Sequence, residues 1–188
     1  MSRAVERVRE RLLRSTAALN AAGVPNAVAG GNAVAAWVET ADAGGVRNCP
    51  DVDIIVRQSD FDAARDALTA SGFVYVRRND IHAFLEKPDS KIRDAVRVFI
   101  AGVKVRADDF WPVPDIADVR LALPAHFWHL SLEPLVGMCL STFLLVEKVY
   151  LRDLADVELI DSTWPIRFPP EFASRLQHIL DTPDQQTR

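Results

Sequence analysis

Cysteine is scarce in this chain: Cys49 and Cys139 are the two among 188 residues. Two cysteines cannot build the disulfide framework of a small secreted domain, and they fit a reducing compartment. Long apolar runs are missing as well. The longest, around Leu140–Val146, contains Ser141 and Thr142 and is too short to span a bilayer. The amino terminus, Met1-Ser-Arg-Ala-Val-Glu-Arg, has no apolar core segment, so no signal peptide is expected. Basic residues do not predominate either: 22 Lys and Arg stand against 26 Asp and Glu, a formal net charge of −4. That balance argues against a chain built to coat nucleic acid and leaves phosphate ligands only a local site. No internal repeat, low-complexity block or Gly/Ser-rich linker divides the sequence. What remains is a cytoplasmic globular protein, 49% hydrophobic and 26% charged, long enough for one domain with a sizeable core.

The patterning predicts alternating elements. Val5, Val8, Leu12 and Leu19 recur at helical spacing over Ser2–Ala22, with Gly23 and Pro25 as a stop. Arg3, Arg7, Arg11 and Arg14 lie on another side of that helix, interrupted by Glu6 and Glu10, and read as a solvated face. Ala27-Val-Ala reads as a short strand ended by Gly30-Gly31, and Asn32–Thr40 as a helix. Asp51–Val56 reads as a central strand. Ser59 is placed as the cap of a helix closed by Gly72. Phe73–Val76, Ile81–Leu85 and Ala95–Ile100 follow as strands, with Val103–Val105 as a hairpin partner turning at Gly102. Pro112, Pro114 and Pro124 mark an extended crossing segment, and His126–Leu130 a last strand. Ser131 is placed as the cap of a helix running to Val146, with further helices near Tyr150–Ile160 and after Pro169-Pro170 and a frayed tail from Thr182. The expected fold is α+β, a mixed sheet flanked by helices. Residues 1–125 form its core and residues 126–188 a helical region packed on that core as one unit.

Two features stand close together where chemistry could occur. Gly30-Gly31 ends a strand before a helix, where a backbone without side chains approaches a phosphate and a helix amino terminus offers free N–H groups. Asp51 and Asp53 open the next strand, projecting from one face about 7 Å apart along the backbone. Two such carboxylates repel, so either one takes up a proton or a cation sits between them. Oxygen ligands of this kind suit Mg²⁺ or Mn²⁺ shared with substrate phosphates.

Gly30-Gly31-Asn32-Ala33-Val34, followed by Arg47-Asn48-Cys49-Pro50-Asp51-Val52-Asp53-Ile54, resembles the minimal nucleotidyltransferases, including their AbiEii-type toxin branch. The segments Ser131–Val136 and Leu151–Val157 look like the carboxyl-terminal helices of that group. The resemblance covers about Val24 to Ile160. It implies a polymerase-β-like core that transfers a nucleoside monophosphate from a nucleoside triphosphate to a hydroxyl on RNA or protein, with a cognate antitoxin as partner. Gly30, Gly31, Asn32 and Arg47 would hold the nucleotide, Arg47 having a structural salt bridge as its alternative role. Asp51 and Asp53 would bind the metals. A third carboxylate is typical of the superfamily on a later strand. That strand here carries Arg97, and Asp94 at its start is the candidate acid. Cys49 stands near the family's threonine and Cys139 where a lysine is usual. These departures open an alternative, a catalytically reduced nucleotide-binding or protein-interaction module on the same fold. The remaining candidates read as structural: His82 as a strand residue, His126 and His129 as strand residues without zinc, and Trp111, Trp128 and Trp164 as packing.

Overall fold

The computed structural model describes residues 3–47, 49–123 and 126–182. Asn48, Pro124, the 125/126 segment boundary and the tail beyond Thr182 lie outside the described residues. Helix α1 (Arg3–Ala21) leads into strand β1 (Ala27–Ala29), helix α2 (Gly30–Ala41) and strand β2 (Val52–Val56). A 3₁₀ turn and helix α3 (Phe61–Ala70) precede the antiparallel strands β3 (Val74–Arg78), β4 (Ile81–Leu85) and β5 (Val96–Ile100). Strands β6 (Val119–Ala122) and β7 (Phe127–Leu130) then lead to helices α4 (Leu132–Thr142), α5 (Leu145–Asp156) and α6 (Pro170–Asp181).

Among the described residues all seven strands form one mixed sheet in the order β3-β4-β5-β2-β1-β7-β6. Strand β2 runs antiparallel to β1 and parallel to β5, and β1 runs parallel to β7. Every residue of β1 and β2 is buried, which accounts for their apolar runs: central strands covered on both faces cannot alternate with polar residues. Helix α1 packs on α3, while α2 packs on α4 and α5. One continuous core joins the sheet to the carboxyl-terminal helices through Leu135, Leu140, Leu151, Leu154 and Phe172. Among the described residues no helix is long and apolar enough to cross a membrane.

The structure corrects several expectations. Helix α2 starts at Gly30 rather than Asn32, so both glycines form its first turn. Ser59 lies inside the 3₁₀ turn Gln58–Asp60 and caps nothing. Val103–Val105 is not a strand; after the turn at Gly102, Val103 accepts a hydrogen bond from the Val113 N–H instead. The crossing segment contains a strand, β6, held by β7. The helix expected to run from Ser131 to Val146 breaks at Phe143, which adopts a left-handed φ of 49°. The Ser131 hydroxyl donates to Asp118 rather than capping the helix. Arg11 is not part of a solvated face: it is buried and ion-paired with Glu86 at 3.2 Å, with Arg14 on the same carboxylate at 2.9 Å.

Candidate functional site

The site forms where β1 hands over to α2. Ala29 pairs with Asp53 across the antiparallel β1–β2 ladder, so the chain leaving β1 turns directly beside the Asp53 carboxylate. Gly30 makes that turn at φ +59°, and a Cβ there would stand 2.5 Å from Asp53 Oδ2. Both the backbone conformation and the close approach require glycine. At Gly31 a Cβ would stand 2.6 Å from Tyr150 Oη and 2.7 Å from Cys49 Cβ. Cys49 Sγ itself lies 3.2 Å from Tyr150 Oη. Burial raises the titration of both groups, so the pair is uncharged near neutral pH.

The repulsion between Asp51 and Asp53 is resolved by a cation, and that cation is a side chain. The parallel β2–β5 register sets Arg97 opposite Asp53. Arg97 Nε donates to Asp53 Oδ1 at 2.7 Å, and Nη2 donates to Asp53 Oδ2 at 3.0 Å and to Asp51 Oδ2 at 3.2 Å. This is the fork geometry in which guanidinium–carboxylate pairs are strongest. Burial pushes the Asp53 carboxyl above the usual carboxylate range, opposed by the charge and hydrogen bonds of Arg97. Burial also works against the Arg97 charge, but Asp53 and Asp51 together outweigh it and hold the guanidinium above its ordinary value.

A cavity of about 260 Å³ opens over this cluster. Gly30, Asp51, Asp53 and Arg97 line its polar side with Arg106 and Glu147, and Phe99, Trp111, Leu135 and Met138 its apolar side. Glu147 lies in the first turn of α5, and burial raises its pKa, with Asp53 adding to the rise. Its Oε2 is buried with no hydrogen-bond partner. Cys139, on the same wall, is buried and its thiol is pushed up, so it is neutral. Mg²⁺ or Mn²⁺ would need carboxylate oxygens that Arg97 already occupies, both of Asp53 and one of Asp51. Among the described residues no group of three or more His, Cys, Asp and Glu side chains is placed to hold a metal ion. The residues as arranged do not fit a metal.

No protein-family model matches this chain, and no curated protein matches it significantly. Among solved structures it is similar to two of the antibiotic-resistance factor ANT(2'')-Ia. The solution structure, reported to show substrate-regulated conformation dynamics, is 11% identical with a TM-score of 0.48 and spans 91% of this chain and 81% of that one. The crystal structure, in complex with adenylyl-2''-tobramycin, is 14% identical with a TM-score of 0.40 and spans 88% and 83%. At these values the functional reading rests on the site's own residues.

Of the candidate residues, the structure brings Gly30, Asp51 and Asp53 together in one cavity. Gly31 faces Cys49 and Tyr150 on the neighbouring side of α2. Asn32 donates through its side-chain amide to the Asp51 carbonyl and so pins the start of β2. Arg47 makes a structural salt bridge: its Nε donates to Asp153 of α5 at 2.7 Å. Asp94 is not brought to the site. It ends the 3₁₀ turn before β5 and lines a separate surface cleft with Arg11 and Glu86. His82 is also away from the cavity, with Nδ1 2.9 Å from Tyr75 Oη and its ring against Phe61. Trp111 lines the cavity wall while packing on Phe172, with ring centroids 4.5 Å apart. The sequence reading missed Glu147 and Tyr150 as site residues. A larger cavity of about 490 Å³ lies among α1, α2 and β6–β7, where Glu39 is the one acidic lining residue among those described.

Proposed function

We propose that this chain is a nucleotidyltransferase-type protein that binds a nucleoside triphosphate in the cleft over Gly30, Asp51 and Asp53. One observation carries the reading: Gly30, which opens α2, and Asp51 and Asp53 at the start of β2 meet in a single cavity, with Gly30 against the Asp53 carboxylate. The first turn of α2 offers backbone N–H groups to a phosphate chain, and Arg106 lies on the same lining. Trp111 and Phe99 supply apolar surface for a base and sugar.

A second observation favours the reduced form of this activity, binding without metal-dependent transfer. The β5 position where the resemblance expects an acid is held by Arg97, and the position of the usual lysine by a neutral Cys139. Titration calorimetry with ATP, in EDTA and then in Mg²⁺, tests both halves of the proposal, together with transfer of label from [α-³²P]ATP to RNA or protein acceptors. The expected result is ATP binding of similar strength in both buffers and no transferred label. No ATP binding in either buffer would overturn the nucleotide reading. Label transfer that Asp51→Ala and Asp53→Ala both abolish would overturn the reduced form and establish a metal-dependent transferase.

A further inference from the structure

We infer that Arg97 is the resident counter-ion of the Asp51–Asp53 pair, that it excludes divalent cations from that pair, and that its removal uncovers a divalent-cation site there. The inference deepens the nucleotide-site reading by naming what occupies the metal position, and it rests on that reading only for its biological consequence.

The geometry carries the argument. Arg97 makes three hydrogen bonds to the two aspartates at 2.7, 3.0 and 3.2 Å, and they use three of the four carboxylate oxygens. Mg²⁺ is held directly by one or two carboxylates and completes its shell with water, so Asp51 and Asp53 alone suffice as its protein ligands once their oxygens are free. While the guanidinium is in place they are not free. An arginine stays charged across the whole working pH range, so raising the pH within that range does not release them. The pair is also walled in. Asp53 and Arg97 sit on neighbouring central strands, and their side chains are 11% and 29% exposed. A metal ion bridging both aspartates would have to displace charge-assisted bonds of the guanidinium and leave its charge poorly compensated in a half-buried site.

Removing Arg97 reverses this balance. Asp51 and Asp53 would then repel each other in a half-buried site with Glu147 beside them, and the Glu147 Oε2 already lacks a partner. Such a cluster is destabilised until a proton or a cation neutralises it. A divalent ion binding only the folded form would restore stability by mass action. Arg97→Lys is a graded control, because a lysine keeps the charge but cannot span two carboxylates with a planar fork.

The test is thermal unfolding of the wild type, Arg97→Ala and Arg97→Gln in EDTA and in about 5 mM Mn²⁺, with the bound ion counted by electron paramagnetic resonance. The wild type should bind no stoichiometric Mn²⁺ and show no shift in Tm. Arg97→Ala should melt lower in EDTA, bind one equivalent of Mn²⁺ and recover much of the lost Tm. Adding Asp53→Asn to Arg97→Ala should abolish that recovery. The inference is overturned if the wild type binds one Mn²⁺ through Asp53, or if neither Arg97 variant responds to Mn²⁺ more than the wild type. Should the variants fail to fold in EDTA, refolding in Mn²⁺ decides: recovery supports the inference and continued failure overturns it. ATP enters none of these measurements, so loss of the nucleotide reading and loss of this inference are separate outcomes.

Discussion

At the scale of the residue, Gly30 shows how a short local motif becomes a site. Its φ of +59° and the 2.5 Å approach to Asp53 are separate demands, and they can be measured separately. Gly72, at φ +92° with nothing within 4 Å of a built Cβ, makes only the first demand. Gly72→Ala should therefore cost about 1 kcal/mol of backbone strain, and Gly30→Ala should cost more by roughly the overpacking range of 1–3 kcal/mol. Combining Gly30→Ala with Asp53→Ala should return it to the strain cost alone. Denaturant titration of the double-mutant cycle checks this, and simple additivity would show that the clash is not there. The same residues mark how much of the site was legible. Gly30, Asp51 and Asp53 were readable because they lie within a few residues of strand ends, where local spacing decides direction. Arg97 was visible only as a misfit, since its partner depends on the β2–β5 register, which one sequence does not encode locally. Asp94 lies in the 3₁₀ turn that precedes β5 rather than on the strand, and it faces a different cleft from Arg97.

At the scale of the element, three helices end in the same device, and one ends in it imperfectly. After α1, Gly23 donates to Asn20 and Val24 to Leu19; after α3, Gly72 donates to Thr69 and Phe73 to Leu68. After α5, Glu158 donates to Ala155 and Leu159 to Leu154, and Glu158 sits at φ +60°. These are paired Schellman closures, each with an apolar pair across the bonds. In the first two a glycine occupies the left-handed position, and both stops were legible. The third carries a glutamate, so the helix was read on to Ile160. Glu158 is exposed, so its side chain has little packing to lose. Glu158→Gly should raise stability by about 0.5–1 kcal/mol, read as a higher urea midpoint with an unchanged m-value. An unchanged or lower midpoint would count against backbone strain at this cap. The break at Phe143 was hidden in the same way, since an aromatic residue gives no sequence sign of a left-handed turn. Glu147 went unrecognised with it, because that residue enters the site only through the helix that restarts after the break.

At the scale of the whole molecule, the sheet places one histidine where charge is costly. His129 of β7 is 4% exposed, set opposite Val28 of β1, with its ring edge-on to Trp37 at 5.4 Å. Its Nδ1 lies 3.1 Å from the Leu130 carbonyl, which also accepts from Trp37 Nε1 at 3.0 Å. Burial lowers the His129 pKa; the Leu130 carbonyl opposes that shift and the nearby Arg120 charge adds to it. The unfolded chain, with an ordinary histidine near pH 6.5, therefore binds more protons than the folded one as pH falls. The contribution is absent well above pH 6.5, and stability is lost progressively as pH drops through that value toward the lowered folded pKa. His82 is shifted in the same direction and adds to the slope, whereas burial raises Glu147, which contributes the opposite sign. The decisive quantity is thus a difference between two proteins. Unfolding free energies of the wild type and His129→Gln, measured at about pH 7.5 and pH 5.5, should converge as pH falls, because only the wild type must charge a buried imidazole. Parallel pH dependences would mean that β7 opens or hydrates on protonation at no cost, and that this edge of the core is looser than its packing implies.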